Sequence, residues 1–320
     1  MATEGSDRGG GVARERVAAL AGFRETLHGC FAGWRDALFE LCDAILHAPA
    51  PVGSVPSLSL EPVFRRSHGS LYKALANGAV DAEGLRRLLV SWRPADWPMV
   101  FAVDASTWDR CDAECSPGRG FYYSASRHSA GQPIVAGWCY QWIAQLDWAR
   151  NSWVAPLDVL RIPPGEDPTS ATIAQLRRLV GLLPGDGAVP LFVLDAGYDP
   201  IALSAELTGV RASVLVRIRS DRVFYTDPVP APAGRVGRPR RHGQRFALPS
   251  LDPALEPDAC LTTSDPRYGT VAVTAWSGLH PKLSGRGRWA GADSPPIVAG
   301  TVIRVEVEHL PRPTRAPTST

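Results

Sequence analysis

A chain of 320 residues, 45% hydrophobic and 21% charged, has the composition of an ordinary globular protein and enough length for a core domain with a smaller unit beside it. No apolar run approaches the roughly 18 residues that a bilayer crossing needs, and the polar, Gly-rich opening MATEGSDRGGGVARER has no signal-peptide core, so the expected location is the cytoplasm with no membrane partner. The net charge of +2 is too small to announce a nucleic-acid partner; that inference depends on where cations cluster.

Residues 1–11 read as a disordered leader and 12–95 as a helical region. Val17, Leu20, Phe23, Leu27, Phe31, Trp34, Leu38, Leu41 and Ile45 form one stripe at helical spacing, which predicts one or two helices. The stretch Pro49 to Pro62 holds four prolines and reads as a connector. Beyond it, Ser70 is placed to cap a short helix through Ala76. Asn77-Gly78 makes a turn, and Asp81 with Glu83 opens a second helix through Trp92. Two readings stay open here: a helix-turn-helix with Arg65, Arg66, Lys73, Arg86 and Arg87 as its cations, or a helical hairpin that packs on its neighbour.

From residue 96 the texture changes. PMVFAVDAS is a continuous apolar run that ends in an acid, as a strand covered on both faces does. RGFYYSA and PIVAGWCYQWIAQL are aromatic and β-branched and predict two more strands in a meander with the first, and a short strand follows within Asn151 to Ile162. SATIAQLRRLVGLL has helical spacing closed by Pro184 and Gly185. VPLFVLDAGYDP is a second apolar run ending in an acid, followed by a helix near Pro200 and a strand at Ser213 to Ile218. This order predicts an α/β core over 96–220, a mixed RNase H-like sheet flanked by helices. Residues 221–297 read as a basic β/loop insertion, 298–310 as the final core strand, alternating Ile303, Val305 and Val307 with Arg304, Glu306 and Glu308, and 311–320 as a disordered tail.

Asp104 and Asp195 each stand at the C-terminal end of a buried apolar strand, where open α/β sheets place groups that act on a ligand. If their strands are neighbours, the two carboxylates supply oxygen donors for a hard divalent cation, Mg2+ or Mn2+, of the kind that assists phosphoryl transfer. The segment RVGRPRRHGQR holds Arg235, Arg238, Arg240, Arg241 and Arg245 and no acid. Its Gly-Arg-Pro centre suits an extended arm whose arginines enter a minor groove. Arg127 and His128 follow a strand close to where Asp104 emerges, and are further candidates for contact with a phosphate. Ten tryptophans are present, among them Trp138, Trp142, Trp148 and Trp153, and core packing is the reading preferred for most of them over stacking on bases.

FAVDASTWDR, SRHSAGQPIVAGWCYQWIAQL, LFVLDAGYD and GRPRRHGQRF together resemble the DDE transposases of bacterial insertion sequences, from about Ala21 to Leu310. The resemblance implies that Asp104 and Asp195 are the first two acids of a metal-binding catalytic triad, and that the helical region serves in DNA binding. It further implies that the partners are the element ends and target DNA, that the protein works as a homo-oligomer on that DNA at the nucleoid, and that the activity is phosphodiester cleavage and strand transfer. The family's third acid is a Glu on a helix after the last core strand; here the expectation is truncation before that helix and impaired cutting. A catalytically inactive DNA-binding remnant, or an inhibitor of intact transposase, is the alternative. A metal-dependent hydrolase of another substrate on a similar core is a third reading.

Overall fold

The computed structural model describes residues 7–49, 52–124, 133–148, 153–230, 232, 236–250, 255–283 and 289–310. The chain forms two units, residues 1–194 with 209–215, and residues 195–208 with 216–320.

The first unit opens with α1 (Asp7–Gly29), β1 (Phe31–Gly33) and α2 (Arg35–His47). The expected apolar stripe does not run through. Trp34 takes a left-handed φ of 52° and the helix restarts after it. Phe31 is therefore buried in a strand, while Val17, Leu20 and Ile45 stay exposed. The Arg24 guanidinium forks onto both Asp43 oxygens at 2.6 and 2.8 Å and ties α1 to α2.

Next come α3 (Val55–Leu58), α4 (His68–Asn77), β2 (Ala79–Val80) and α5 (Ala82–Ser91). Asp81 caps α5 through the Gly84 N–H at 2.9 Å, as its sequence suggests, whereas α4 starts at His68 and not at Ser70. β2 pairs with β1, and the Asp81 N–H donates to the Cys30 carbonyl at 2.7 Å, so the link between α4 and α5 is pinned. Arg65 and Arg66 face Glu40, Arg66 also reaches Asp36, Arg87 faces Glu83, and Arg86 is buried against Asp158. Four of the five cations in the helix-turn-helix reading thus have acids beside them, which favours the helical hairpin.

The sheet is built from β3 (Val100–Asp109), β4 (Gly120–Tyr123), β5 (Ile134–Leu146), β6 (Val154–Ile162), β7 (Leu191–Leu194) and β8 (Ser213–Val216), with α6 (Pro168–Val180) before β7 and α7 (Pro200–Glu206) before β8. β5 pairs antiparallel with β3 along one edge and, on its other edge, with β4 over residues 134–137 and with β6 over 139–146. β7 pairs parallel with β3, and β8 lies beyond β7. The five main strands β3, β5, β6, β7 and β8 therefore lie in the order 3-2-1-4-5, a mixed sheet of the RNase H-like kind. One expectation changes: the 119–125 segment is not the middle of a meander, because the long β5 takes the place beside β3 and leaves β4 a short flank.

One face of this sheet carries the core. Phe101, Val103, Ile143, Phe192 and Leu194 are buried, and the Phe101 and Phe192 rings stack across the parallel pair with centroids 5.2 Å apart. Two buried glutamines on the same face position what lies around it. Gln141 donates to the Gln175 Oε1 at 2.9 Å and accepts from Thr172 at 3.0 Å, which holds α6 on β5. The Gln145 amide lies 3.1 to 3.3 Å from the carbonyls of Pro94, Trp97 and Pro98 and sets the entry to β3. α5 is fastened to β6 by Arg86 and Asp158, 2.8 Å apart with side chains 6% and 3% exposed. Burial opposes the Arg86 charge, but Asp158 and Glu83 outweigh it and hold the guanidinium pKa up.

The second unit contains α7, β9 (Val223–Tyr225), β10 (Arg245–Ala247), β11 (Ala259–Asp265), β12 (Gly269–Leu279) and β13 (Gly300–Val307). β9 pairs with β10, and β11, β12 and β13 form a three-stranded antiparallel sheet. Phe224, Phe246, Leu279 and Val302 make one core between the two pairings. The 221–297 segment, expected as a basic β/loop insertion, contains paired strands whose apolar residues, too sparse to show a period in sequence, converge in one core. One expectation is corrected here. The 298–310 segment is not a strand of the core sheet, because β12 offers it an antiparallel partner, with Trp276 opposite Val302, and Val302 rather than Ile303 or Val305 turns inward. Of the expected disordered leader, residues 7–11 are instead the first turns of α1, and residues 1–6 and the expected tail, 311–320, lie outside the described residues.

Within this unit His242 Nδ1 and the fully buried His280 Nε2 are 3.0 Å apart, and Asp227 lies 3.6 Å from His280 Nδ1. Burial first, then His280, Lys282 and Arg241, push the His242 pKa below its ordinary 6.5.

Two measurements test these constraints. Arg86→Met leaves Asp158 buried without a countercharge and should lower unfolding stability by about 3–5 kcal/mol, and adding Asp158→Leu should restore much of the loss. A double variant as unstable as the single one would remove the ion pair as the cause. For His242, a folded pKa below the unfolded value means that the folded chain binds fewer protons, so its contribution is present above pH 6.5 and is lost as the pH falls below it. Thermal unfolding between pH 7.5 and 5.5 should therefore show a loss that His242→Gln reduces; an unchanged pH slope in that variant counts against it.

Candidate active site

β3 and β7 run parallel in register, with Phe101 opposite Phe192 and Val103 opposite Leu194. The next residue on each strand is an acid: Asp104 continues β3, and Asp195 is one peptide past the end of β7. Asp195 thus stands at the C-terminal end of β7, whereas Asp104, expected at a strand end, lies mid-strand, where the pairing with β7 stops and β3 runs on to Asp109 beside β5; both are exposed. Asp104 Oδ1 accepts the Ala105 N–H at 2.9 Å, and Asp195 Oδ1 accepts the Gly197 N–H at 2.8 Å. These short local bonds orient each carboxylate through one oxygen. The second oxygen of each has no hydrogen bond among the described residues.

The pleat also decides what surrounds Asp104. Residues directly opposite on antiparallel strands share a face, so Asp104 lies with Trp142, and beyond it Val159, while Ser106 lies with Tyr140 and Arg161, and Trp108 with Trp138. On the opposite face the partners are Val103 with Ile143 and Phe101 with Gln145, all buried. The Asp104 face is open: Trp108 is 61% and Trp142 44% exposed. Arg161 lies over the Trp138 ring at 5.6 Å and donates to the Pro117 carbonyl at 2.6 Å. Gly118, with φ 65°, leaves the space that this guanidinium fills. Cys139 is on the buried face opposite Thr107; burial above all, with the Asp104 charge adding to it, raises its thiol pKa, which suits a packing residue and not a nucleophile.

Residues 26–282 match the family described as DDE superfamily endonuclease. The chain belongs to that family. No curated protein matches it. For a DDE superfamily endonuclease the activity class is nuclease action and the substrate is DNA, and the family generally uses a divalent metal. The donor set fits such an ion, since two carboxylates with free oxygens offer the hard ligands that Mg2+ or Mn2+ prefers. Among the described residues no group of three or more His, Cys, Asp or Glu is arranged to hold a metal. Glu306 is ion-paired with Arg304 at 2.6 Å, and Glu308 accepts the Thr270 N–H at 2.8 Å, so both late glutamates of the endonuclease have local roles in the β11–β13 sheet. No helix in the described residues is long and apolar enough to cross a membrane.

The basic segment divides in three. Arg238 and Arg240 are exposed in irregular chain. Arg241 is half-buried, its guanidinium donating to the Pro295 carbonyl, which is a structural tie. Arg245 begins β10 opposite Tyr225, so the end of the segment is strand and not an extended arm. Arg235, Arg127 and His128 lie outside the described residues. The aromatic face is what sequence reasoning missed, because packing was preferred for the tryptophans, yet Trp108, Trp142, Trp148 and Trp153 are all exposed. A signal was present: Trp138, Tyr140 and Trp142 alternate with Cys139, Gln141 and Ile143, the period of a strand with one aromatic face.

Proposed function

We propose that this endonuclease is a transposase-type enzyme that cuts DNA at Asp104 and Asp195 and joins the cut end to a target, in the manner of insertion-sequence transposases. The register of Val103 with Leu194 supports the reading, because Asp104 and Asp195 are the residues that follow this pair in a DDE-family chain. Asp104 and Asp195 would hold the divalent metal, which when bound activates a water or a DNA 3′-OH and neutralises charge on the phosphate. The protein's own part is to fix the carboxylates through the Ala105 and Gly197 N–H groups and to lay the strand on the open face. There Trp142, opposite Asp104, and Trp108 give stacking surface and Arg161 gives charge. Arg238 and Arg240 add phosphate contacts.

A two-carboxylate site should bind metal weakly and cut slowly, and the lack of a third acid beside it among the described residues favours a second reading: DNA binding without chemistry. Nicking of supercoiled plasmid in Mg2+ or Mn2+ separates the two. Slow nicking that Asp104→Ala and Asp195→Ala each abolish, with DNA affinity in EDTA unchanged, supports the enzyme; metal-independent binding with no nicking leaves the binding protein, and nicking that survives both substitutions sinks the assignment of the site.

Trp142→Ala should weaken single-stranded DNA binding by roughly 1–3 kcal/mol. Arg238→Ala should instead weaken binding to all sequences and reduce the salt slope by about 1. Equal affinities across these variants would show that DNA does not use this face or this arm.

A further inference from the structure

The second unit contains a cavity of about 870 Å3, within the range of small-ligand sites. Arg219, Arg222, Arg245 and Lys282 all line it, and all four are exposed. Elsewhere in the chain cations of this kind have acids next to them, as Arg65, Arg66 and Arg87 do; among the described residues none of these four is in an ion pair. Two acids line the cavity, but the Asp199 carboxylate already accepts the Ile201 and Ala202 N–H groups at 3.0 and 3.2 Å, as the cap of α7, which leaves Asp221. Four cations against two acids leave the lining with an excess of two positive charges (4 − 2), and that favours an anion.

The frame that presents them is ordered. Arg245 is in β10 opposite Tyr225, and Tyr225 exchanges N–H···O bonds of 2.8 and 3.0 Å with His280, two residues before Lys282. Trp289 completes the wall, and its indole N–H is buried without an acceptor among the described residues. An indole N–H is a donor only, and a buried donor without a partner is destabilising.

We propose that this cavity binds a phosphate-bearing ligand, with the arginine forks and Lys282 on its anionic oxygens and the Trp289 N–H as a neutral donor. Three arginines and a lysine suit a group that carries several oxygens and close to two charges better than a single carboxylate, because each guanidinium takes a pair of oxygens. A free nucleotide and the backbone of a DNA strand offer the same chemistry. The site is separate from the two-carboxylate reading and does not need it.

The test uses the full chain with Asp104→Ala, in EDTA, so that no cleavage enters. Calorimetric titration with inorganic pyrophosphate, with dTMP and with short single-stranded oligo(dT) should show binding that Arg222→Glu and Lys282→Ala each weaken about tenfold or more, the effect of losing one charge-assisted hydrogen bond. Trp289→Phe should weaken it several-fold, and Arg304→Glu, which alters a paired cation on β13, should leave it unchanged. Binding of all three probes identifies free phosphate esters as occupants, and binding of the oligonucleotide alone identifies the strand backbone; either supports the site. No binding by any probe, or binding that the Arg222 and Lys282 variants leave intact, overturns it.

Discussion

The parallel pairing of β3 with β7 is the constraint on which the rest of the first unit depends. Parallel neighbours cannot be joined by a tight turn, so the chain must leave β3, build β5 and β6, and return through α6 before β7 can form. Everything needed to hold that return is on the buried face: the Phe101–Phe192 stack, Gln141 tying α6 to β5, and Gln145 fixing the approach to β3. An alternating pleat then leaves the other face free. A one-residue slip would bury the acids and expose the core phenylalanines, so packing energy and placement of Asp104 and Asp195 are set by the same register.

Much of this was legible in the sequence because its signals are local. A continuous apolar run ending in an acid marks a central strand, and two such runs separated by a helical pattern predict parallel neighbours; both fall where β3 and β7 lie. The Asp81 cap was equally local. What escaped depends on partners far apart in sequence. Whether β4 or β5 sits beside β3 follows from the length of β5, a property of pairing and not of the segment itself. The second unit's core joins Phe224, Phe246, Leu279 and Val302, four residues with no common period. The exposed tryptophans were misread because residue type predicts burial only on average, and here strand parity overrides type.

Electrostatics separates the regions that sequence treats alike. Arg65, Arg66, Arg87, Arg238 and Arg245 are indistinguishable as letters, yet the first three have acidic partners, Arg238 is exposed in irregular chain, and Arg245 is one of four cations around a cavity that are in no ion pair among the described residues. A cation already paired offers little to a phosphate, since the pair must be broken and its acid left facing the new anion. Count and net charge therefore mislead in this chain: the helical region is rich in arginine but locally neutralised, while among the described residues of the second unit an excess of positive charge remains around the cavity.

The same distinction bears on how two carboxylates could be enough for DNA to be held in place. If Asp104 and Asp195 hold the metal as proposed, with no third acid grouped with them among the described residues, metal would contribute less to affinity than in a full ligand set, and positioning would fall to surfaces that act without metal. Trp142 stands across from Asp104 on the adjacent strand, at a separation set by strand spacing. Stacking tolerates any base and its strength does not depend on ionic strength in the way phosphate contacts do. On the proposed reading the open aromatic face would add a salt-resistant hold on the strand beside Asp104, which carboxylates alone would not give.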